Sequence, residues 1–158
     1  MKSKIAFALA GLFGALGFWF GEGTSPPWAV LPVVGSIIGC FAIALVTPGK
    51  LWFKSLAGAG SLVLYVTALF VGSLSFDHAF NECVERGEEV RTQLSEYHQN
   101  KNQYPERLGQ LEGFKLCVRI IRPTLLEYDK TKYGYVLSFK DWLVEHTATE
   151  SEPFMAHK

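Results

Sequence analysis

Apolar and polar positions divide this chain at one point, close to Phe76. Before it stand three nearly unbroken apolar runs, Ile5–Phe20, Ala29–Val46 and Leu56–Phe76; after it the apolar residues become periodic and are interleaved with charge. The second and third runs meet the roughly 18–20 residues an α-helix needs to cross about 30 Å of hydrocarbon, where only internally bonded backbone is tolerated. The first is slightly short. Lys2 and Lys4 ahead of it, and Ala15-Leu16-Gly17 near its end, also fit a signal peptide with a small-residue cleavage site. Phe18, Trp19 and Phe20 carry the apolar run past that point and suit an interfacial aromatic belt. The reading adopted is three spans in residues 1–76, with a cleaved first segment as the alternative.

The third run does not stop in a loop. It passes without a Pro into Asp77–Asn100, where Phe80, Cys83, Val84, Gly87, Val90, Leu94 and Tyr97 recur at helical steps on one stripe. Glu82, Glu85, Arg86, Glu89 and Glu96 fall largely elsewhere. A single helix from about Leu56 to Asn100 is predicted, about 65–70 Å long at 1.5 Å per residue. Gly87 on the apolar stripe costs about 1 kcal/mol in propensity and so marks a close approach by another element. The turn-forming Gln99-Asn100-Lys101-Asn102 ends the helix.

Beyond it, Pro105 suits a first helical position, and Leu108 with Leu111 make a short amphipathic turn stopped by Gly113. Lys115–Arg122 alternates as a strand and is closed by Pro123. Leu125–Asp129 and Tyr133–Phe139 flank Asp129-Lys130-Thr131-Lys132 as a hairpin, with Tyr133, Tyr135, Leu137 and Phe139 on one face. Trp142–Ala148 supplies a further strand. From Thr149 the tail is polar apart from Phe154 and Met155. The fold class expected for residues 77–158 is α+β, a long helix packed on a small antiparallel sheet.

Val90, Leu94, Tyr97, Tyr104-Pro105, Leu108 and Leu111 stand in an order that resembles the type IV pilin and type II secretion pseudopilin family, over roughly residues 57–139. The resemblance implies a pilin-like domain: an apolar helix continuing into an amphipathic half, a Tyr-Pro turn, a short helical connection, then a sheet on the helix. It is a resemblance of fold, since no prepilin leader pattern stands near Met1 or Ala57.

Charge sets the expected orientation. Lys2 and Lys4 precede the first run, Lys50 and Lys54 lie between the second and third, and residues 21–28 carry Glu22 but no Lys or Arg. The positive-inside rule then places the N-terminus and residues 47–55 in the cytoplasm, and everything after Phe76 outside it. Residues 77–158 hold eleven Lys and Arg against fourteen Asp and Glu, a net −3 with no basic cluster, which disfavours nucleic acid as a partner. Cys83 and Cys117 fall in the exported half, where thiols are normally oxidised, and are expected to bond helix to sheet. Cys40 reads as a small packing residue.

Candidate chemistry is sparse. His78, His98, His146 and His157 share no ligand spacing, so no metal or other cofactor is expected. No Gly-x-Ser-x-Gly, phosphate-binding loop or Cys/His nucleophile pair occurs, and a non-catalytic protein is expected. The segment Lys140–Lys158 is the most unusual in composition, and Trp142, Glu145, His146 and Phe154 are its candidate recognition surface. The expected protein is a bacterial inner-membrane protein, anchored in the lipid bilayer, whose periplasmic domain acts as an interaction or scaffold component of the cell envelope with an envelope protein as partner. Two alternatives are immunity or sensing directed at an envelope-acting factor, and a tethered periplasmic hydrolase using Glu145 and His146.

Overall fold

The computed structural model describes residues 2–23, 30–141 and 144–157, with side chains from residue 4 in the first stretch and from residue 34 in the second. The chain forms two compact units, Met1–Phe76 and Asp77–Lys158.

Helices α1 (Lys2–Gly21), α2 (Val30–Val46) and the first part of α3 (Leu51–Lys101) build the first unit. Among the described residues, α1 and α3 contain stretches long and apolar enough to cross a membrane, whereas the apolar part of α2, Val34–Val46, is shorter. Glycine lets the helices touch through their backbones. A Cβ on Gly21 would stand 2.2 Å from the Leu69 carbonyl oxygen, and one on Gly72 would stand 2.4 Å from that of Phe18. Gly17 and Gly21, one turn apart, form the small-xxx-small spacing that lets helices approach closely where hydrophobic exclusion from water cannot drive them together.

The unit is also turned inside out relative to a soluble bundle. Phe7, Phe41, Leu45, Val63 and Phe70 are exposed, while Glu22, Ser36, Thr47 and Ser61 are buried. Two of the buried hydroxyls are satisfied one turn back, Thr47 on the Ile43 carbonyl (2.7 Å) and Ser61 on the Ala57 carbonyl (2.8 Å). Glu22 is fully buried and accepts a 2.7 Å hydrogen bond from the Ser75 hydroxyl of α3. An apolar exterior with polar groups enclosed is compatible with a membrane anchor, because in hydrocarbon it is the polar group that needs shelter.

The second unit begins with the rest of α3. Its buried line runs through Ala79, Cys83, Val90 and Leu94. Val84 sits about 100° round the helix from Cys83 and is exposed, which removes it from the expected stripe. Asn102 (φ 54°) ends the helix, and its N–H bonds the His98 carbonyl at 2.8 Å. Tyr104 and Pro105 are buried, a 3-10 turn covers Leu108–Gln110, and Gly113 takes the left-handed conformation (φ 73°).

Four strands follow: β1 (Glu127–Lys130), β2 (Tyr135–Lys140), β3 (Glu145–Thr149) and β4 (Met155–His157). All neighbours are antiparallel in the order β1-β2-β3-β4. Because side chains alternate, Tyr135, Leu137 and Phe139 bury together on one face, with Ala148 opposite Leu137 in the register.

Two expectations need correction. Lys115–Arg122 is not a strand: Cys117 is left-handed (φ 58°), its N–H goes to the Glu82 carboxylate at 2.7 Å, and its carbonyl to the Leu125 N–H at 2.8 Å. With its backbone groups satisfied by a side chain and a local turn, the segment has no ladder to join. Tyr133 precedes β2 and is 83% exposed, so it does not share the buried face of Tyr135. The polar tail contributes the sheet's last strand, since Met155–His157 pairs with β3.

Candidate functional site

The site is best built outward from Cys83. Cys83 and Cys117 form a disulfide with Cα atoms 5.3 Å apart across a sequence separation of 34. Cys117 lies ahead of the sheet, so the bond ties α3 to a loop and not to a strand. That loop, Val118-Arg119-Ile120-Ile121-Arg122, leaves from a doubly pinned base and is closed by the Leu125 N–H on the Cys117 carbonyl. The Arg119 Nε–H donates to the Pro123 carbonyl at 2.7 Å and braces it from within. Held in this way, the loop presents Val118, Ile120 and Ile121 at 52%, 74% and 52% exposure.

The predicted recognition residues lie elsewhere. Phe139 of β2 pairs with His146 of β3, and their rings stack at 4.7 Å with an interplanar angle of 3°. Phe80 of α3 meets both rings edge-on at 5.7 and 5.8 Å. Phe154 packs on Phe139 at 5.3 Å and lies against Gly87, where a Cβ would come 2.7 Å from its ring. This is the close approach that a glycine on the stripe foretells. His146 and Phe154 thus belong to the seam between helix and sheet.

Glu145, next in sequence to His146, projects to the other face of β3, as strand alternation requires. It pairs with Lys140 at 3.2 Å, a largely exposed ion pair worth about 0–1 kcal/mol. Glu145 and His146 therefore do not converge as an acid–base pair. Trp142 lies outside the described residues. Among the described residues no group of three His, Cys, Asp or Glu side chains is placed to hold a metal ion.

The far end of the seam is polar and closed. Arg91 donates from Nε to the Thr149 carbonyl (3.1 Å) and from a terminal nitrogen to the Glu150 carbonyl (3.3 Å), while pairing with Glu88 at 2.6 Å. Glu88 in turn accepts the Phe154 N–H at 3.1 Å. This clamp fixes the β3–β4 turn to the helix. Beside it, Tyr104 stacks on His98 at 4.4 Å and meets Tyr135 edge-on at 5.1 Å, and the Tyr128 hydroxyl donates to the Pro105 carbonyl at 2.6 Å. Burial pushes the Tyr128 hydroxyl up to about 12, with Glu106 adding to the effect. Burial likewise raises Tyr104, with help from Glu150, and raises Tyr135. These phenols stay neutral and structural at physiological pH.

In the first unit an apolar cavity of about 250 Å3 opens among Ala6, Ala10, Ile43, Phe53, Ala57 and Ser61. Its hydroxyl-bearing wall is already satisfied within its own helix by the Ser61 bond. The sequence signal for the loop was present but misread. Val118-Arg119-Ile120 alternates like a strand, yet Ile120-Ile121 breaks that alternation and Pro123 follows at once. No known protein family, curated protein or solved structure matches the chain.

Proposed function

We propose that the chain is a non-catalytic, bilayer-anchored interaction module of the bacterial cell envelope. Its three helices span the inner membrane with the N-terminus in the cytoplasm, and residues 77–158 form a pilin-like domain in the periplasm. The observation that carries the reading is α3, which runs unbroken from Leu51 to Lys101. Its first part is apolar and outward-facing, and its second part carries the sheet and is tied by a disulfide to the loop ahead of it. A helix of this kind is a span and a scaffold in one element, and it suits a protein whose task depends on where it sits.

Other features support the same reading. The Lys2/Lys4 and Lys50/Lys54 pairs support a cytoplasmic end for the helices through the positive-inside rule, and a disulfide suits the opposite compartment. The element order of helix, buried Tyr104-Pro105, 3-10 turn and antiparallel meander is the order the pilin resemblance implies. The aromatic seam is occupied by its own side chains, so recognition of a protein partner falls to the outer surfaces of the domain.

The test has two steps. A periplasm-dependent phosphatase fused after Lys158 is expected to be active and a fluorescent protein in the same place dark; the reverse pattern overturns the orientation. Crosslinking in intact membranes from residues on the sheet's outer face, such as Ser138 or Thr147, is then expected to capture a discrete envelope protein. Capture of none counts against the scaffold role.

A further inference from the structure

The cavity of about 250 Å3 in the first unit has a buried floor and an exposed rim. Ile43, Thr47 and Ser61 are the buried part of its lining, and Phe7, Phe53 and Leu64 are the exposed part. The space exists because the side chains around it are small. Ala6, Ala10 and Ala57 each supply a single methyl group, and a Cβ on Gly60 would meet nothing within 4 Å. Protein interiors otherwise pack to the density of organic crystals, so a void of this size left empty forfeits the contacts its walls could make. Water does not suit it. A buried water needs about two to four polar partners, and the hydroxyls in the lining, Thr47 and Ser61, already donate to the Ile43 and Ala57 carbonyls. A dry cavity of about 150 Å3 admits benzene, so this one accepts a longer piece of hydrocarbon.

The charges beside the cavity say which hydrocarbon. Lys4, Lys50 and Lys54 each lie within two residues of a lining side chain, namely Ala6, Pro48 and Phe53. Lys54 is half-buried, while Lys4 and Lys50 are exposed. Residues 1–76 contain one acid, Glu22, which stands past the other end of α1 and accepts from Ser75. That is about 25 Å along the helix from Lys4. Three ammonium groups on flexible stems therefore adjoin an apolar cavity at the end of the unit where no carboxylate offsets them. An occupant with an anionic head and an apolar tail matches both halves of this arrangement, and a zwitterionic or neutral one matches only the apolar half.

We propose that the cavity holds an acyl chain of an anionic phospholipid, with Lys4, Lys50 and Lys54 around its phosphate. The lipid then fills the space among α1, α2 and α3 as a bound ligand, distinct from the hydrocarbon that bathes the outer helix faces. This rests on the reading of the first unit as a bilayer anchor, and the experiment separates the two.

The full-length chain is placed in nanodiscs of phosphatidylcholine with a trace of probe lipid, either phosphatidylglycerol or phosphatidylcholine bearing a photoreactive diazirine near the end of one acyl chain. After illumination, adducts at each residue are counted by mass spectrometry. Leu45 and Phe70, exposed and outside the cavity lining, report on the anchor; Ile43, 2% exposed, reports on a chain that has entered the cavity. Adducts are expected at all three. At Ile43 the phosphatidylglycerol probe should exceed the phosphatidylcholine probe by at least about tenfold, as several lysines that each favour an anionic headgroup imply. Lys50→Gln with Lys54→Gln should bring the two probes close to level. Gly60→Leu and Ala10→Leu, which fill the space from two different helices, should remove the Ile43 adducts and keep those at Phe70. A melting midpoint at or above the wild type's in lipid-free detergent certifies the fold of each filled variant, and the comparison of the two probes in the wild type needs no variant. Ile43 labelled equally by both probes, Ile43 unlabelled, or labelling that persists in the filled variants overturns the inference and leaves the anchor standing. An absence of adducts at Leu45 and Phe70 overturns the anchor and the inference together.

Discussion

Removing the disulfide is the most quantitative perturbation the fold offers. In the chain-entropy account, a bond across a sequence separation of 34 lowers the entropy of the unfolded chain enough to stabilise the folded state by about 4 kcal/mol. For a unit of this size, each kcal/mol moves the melting midpoint by about 4–8 °C, so Cys83→Ala with Cys117→Ala is expected to lower it by roughly 15–30 °C. The assay is thermal melting of the full-length chain in detergent, followed by hydrogen exchange at Val90, Leu94 and Leu137, which lie at the centre of the second unit's core. Reduced wild-type protein serves as the partner measurement. It loses the crosslink but keeps both sulfur atoms, so agreement with the double variant to within about 1 kcal/mol assigns the effect to chain topology and not to lost packing. A midpoint lowered by less than about 5 °C refutes the reasoning, because the helix and loop would then be held by the Glu82–Cys117 hydrogen bond and apolar contacts alone.

Other expectations follow from single contacts. Gly72→Ala drives a Cβ to within 2.4 Å of the Phe18 carbonyl and is expected to destabilise the first unit by about 1–3 kcal/mol, measured as earlier detergent-induced unfolding; Gly11→Ala, which meets open space, is expected to be neutral or slightly stabilising. Ser75→Ala takes a donor from the buried Glu22 carboxyl and is expected to cost about 1–3 kcal/mol; a Glu22→Leu background should abolish most of that loss, and an undiminished loss there would contradict the pairing. Tyr104, Tyr128 and Tyr135 hold their hydroxyl protons above the ordinary value of 10, so the folded state binds protons that unfolded tyrosines release. The stabilising contribution of Tyr128 is complete below pH 10 and disappears as pH rises through about 12, and those of Tyr104 and Tyr135 are likewise complete below pH 10 and are lost above it. Tyrosinate absorbance from these three should therefore grow in step with alkaline unfolding, and its appearance in still-folded protein would refute the assignment.

How far the fold was legible depended on the range of the interaction that decides each element. The break at Phe76, the long helix and the β1–β2 hairpin follow from local pattern: apolar runs, a 3.6-residue stripe and two alternating stretches around a polar turn. Gly87 foretold a close neighbour because its propensity cost is local, but the identity of that neighbour, Phe154, depends on a distant turn that Arg91 secures and on the bond of the Phe154 N–H to Glu88 across 66 residues. Lys115–Arg122 failed for a related reason. Alternation predicts a half-buried strand, while the left-handed Cys117 and its bond to Glu82 are set by packing across a gap of 35 residues. Within the candidate recognition segment, composition singled out His146 and Phe154 but could not say which face of β3 His146 occupies or that Phe154, just ahead of β4, lies against the helix. The register that decides it exists only once the sheet has formed. Glu22 was read as a loop acid because the apolar run ends at Phe20, and nothing local signals the hydroxyl that covers it.

That covered carboxyl has a consequence for how the chain is made. Glu22 emerges from the ribosome 53 residues ahead of Ser75, and the backbone surfaces of Gly17 and Gly21 emerge well before the Tyr65 and Leu69 carbonyls that close them. Until α3 arrives, Glu22 therefore lacks the Ser75 donor, and two backbone patches of α1 stand without the helix that covers them. The last part of α3 to join the helical unit is also the part that leads into residues 77–158, so completing the helix pack and delivering the next unit are one event in synthesis. A chain interrupted before Ser75 leaves Glu22, just past the end of α1, without its hydroxyl donor, and so differs at that carboxyl from a finished one.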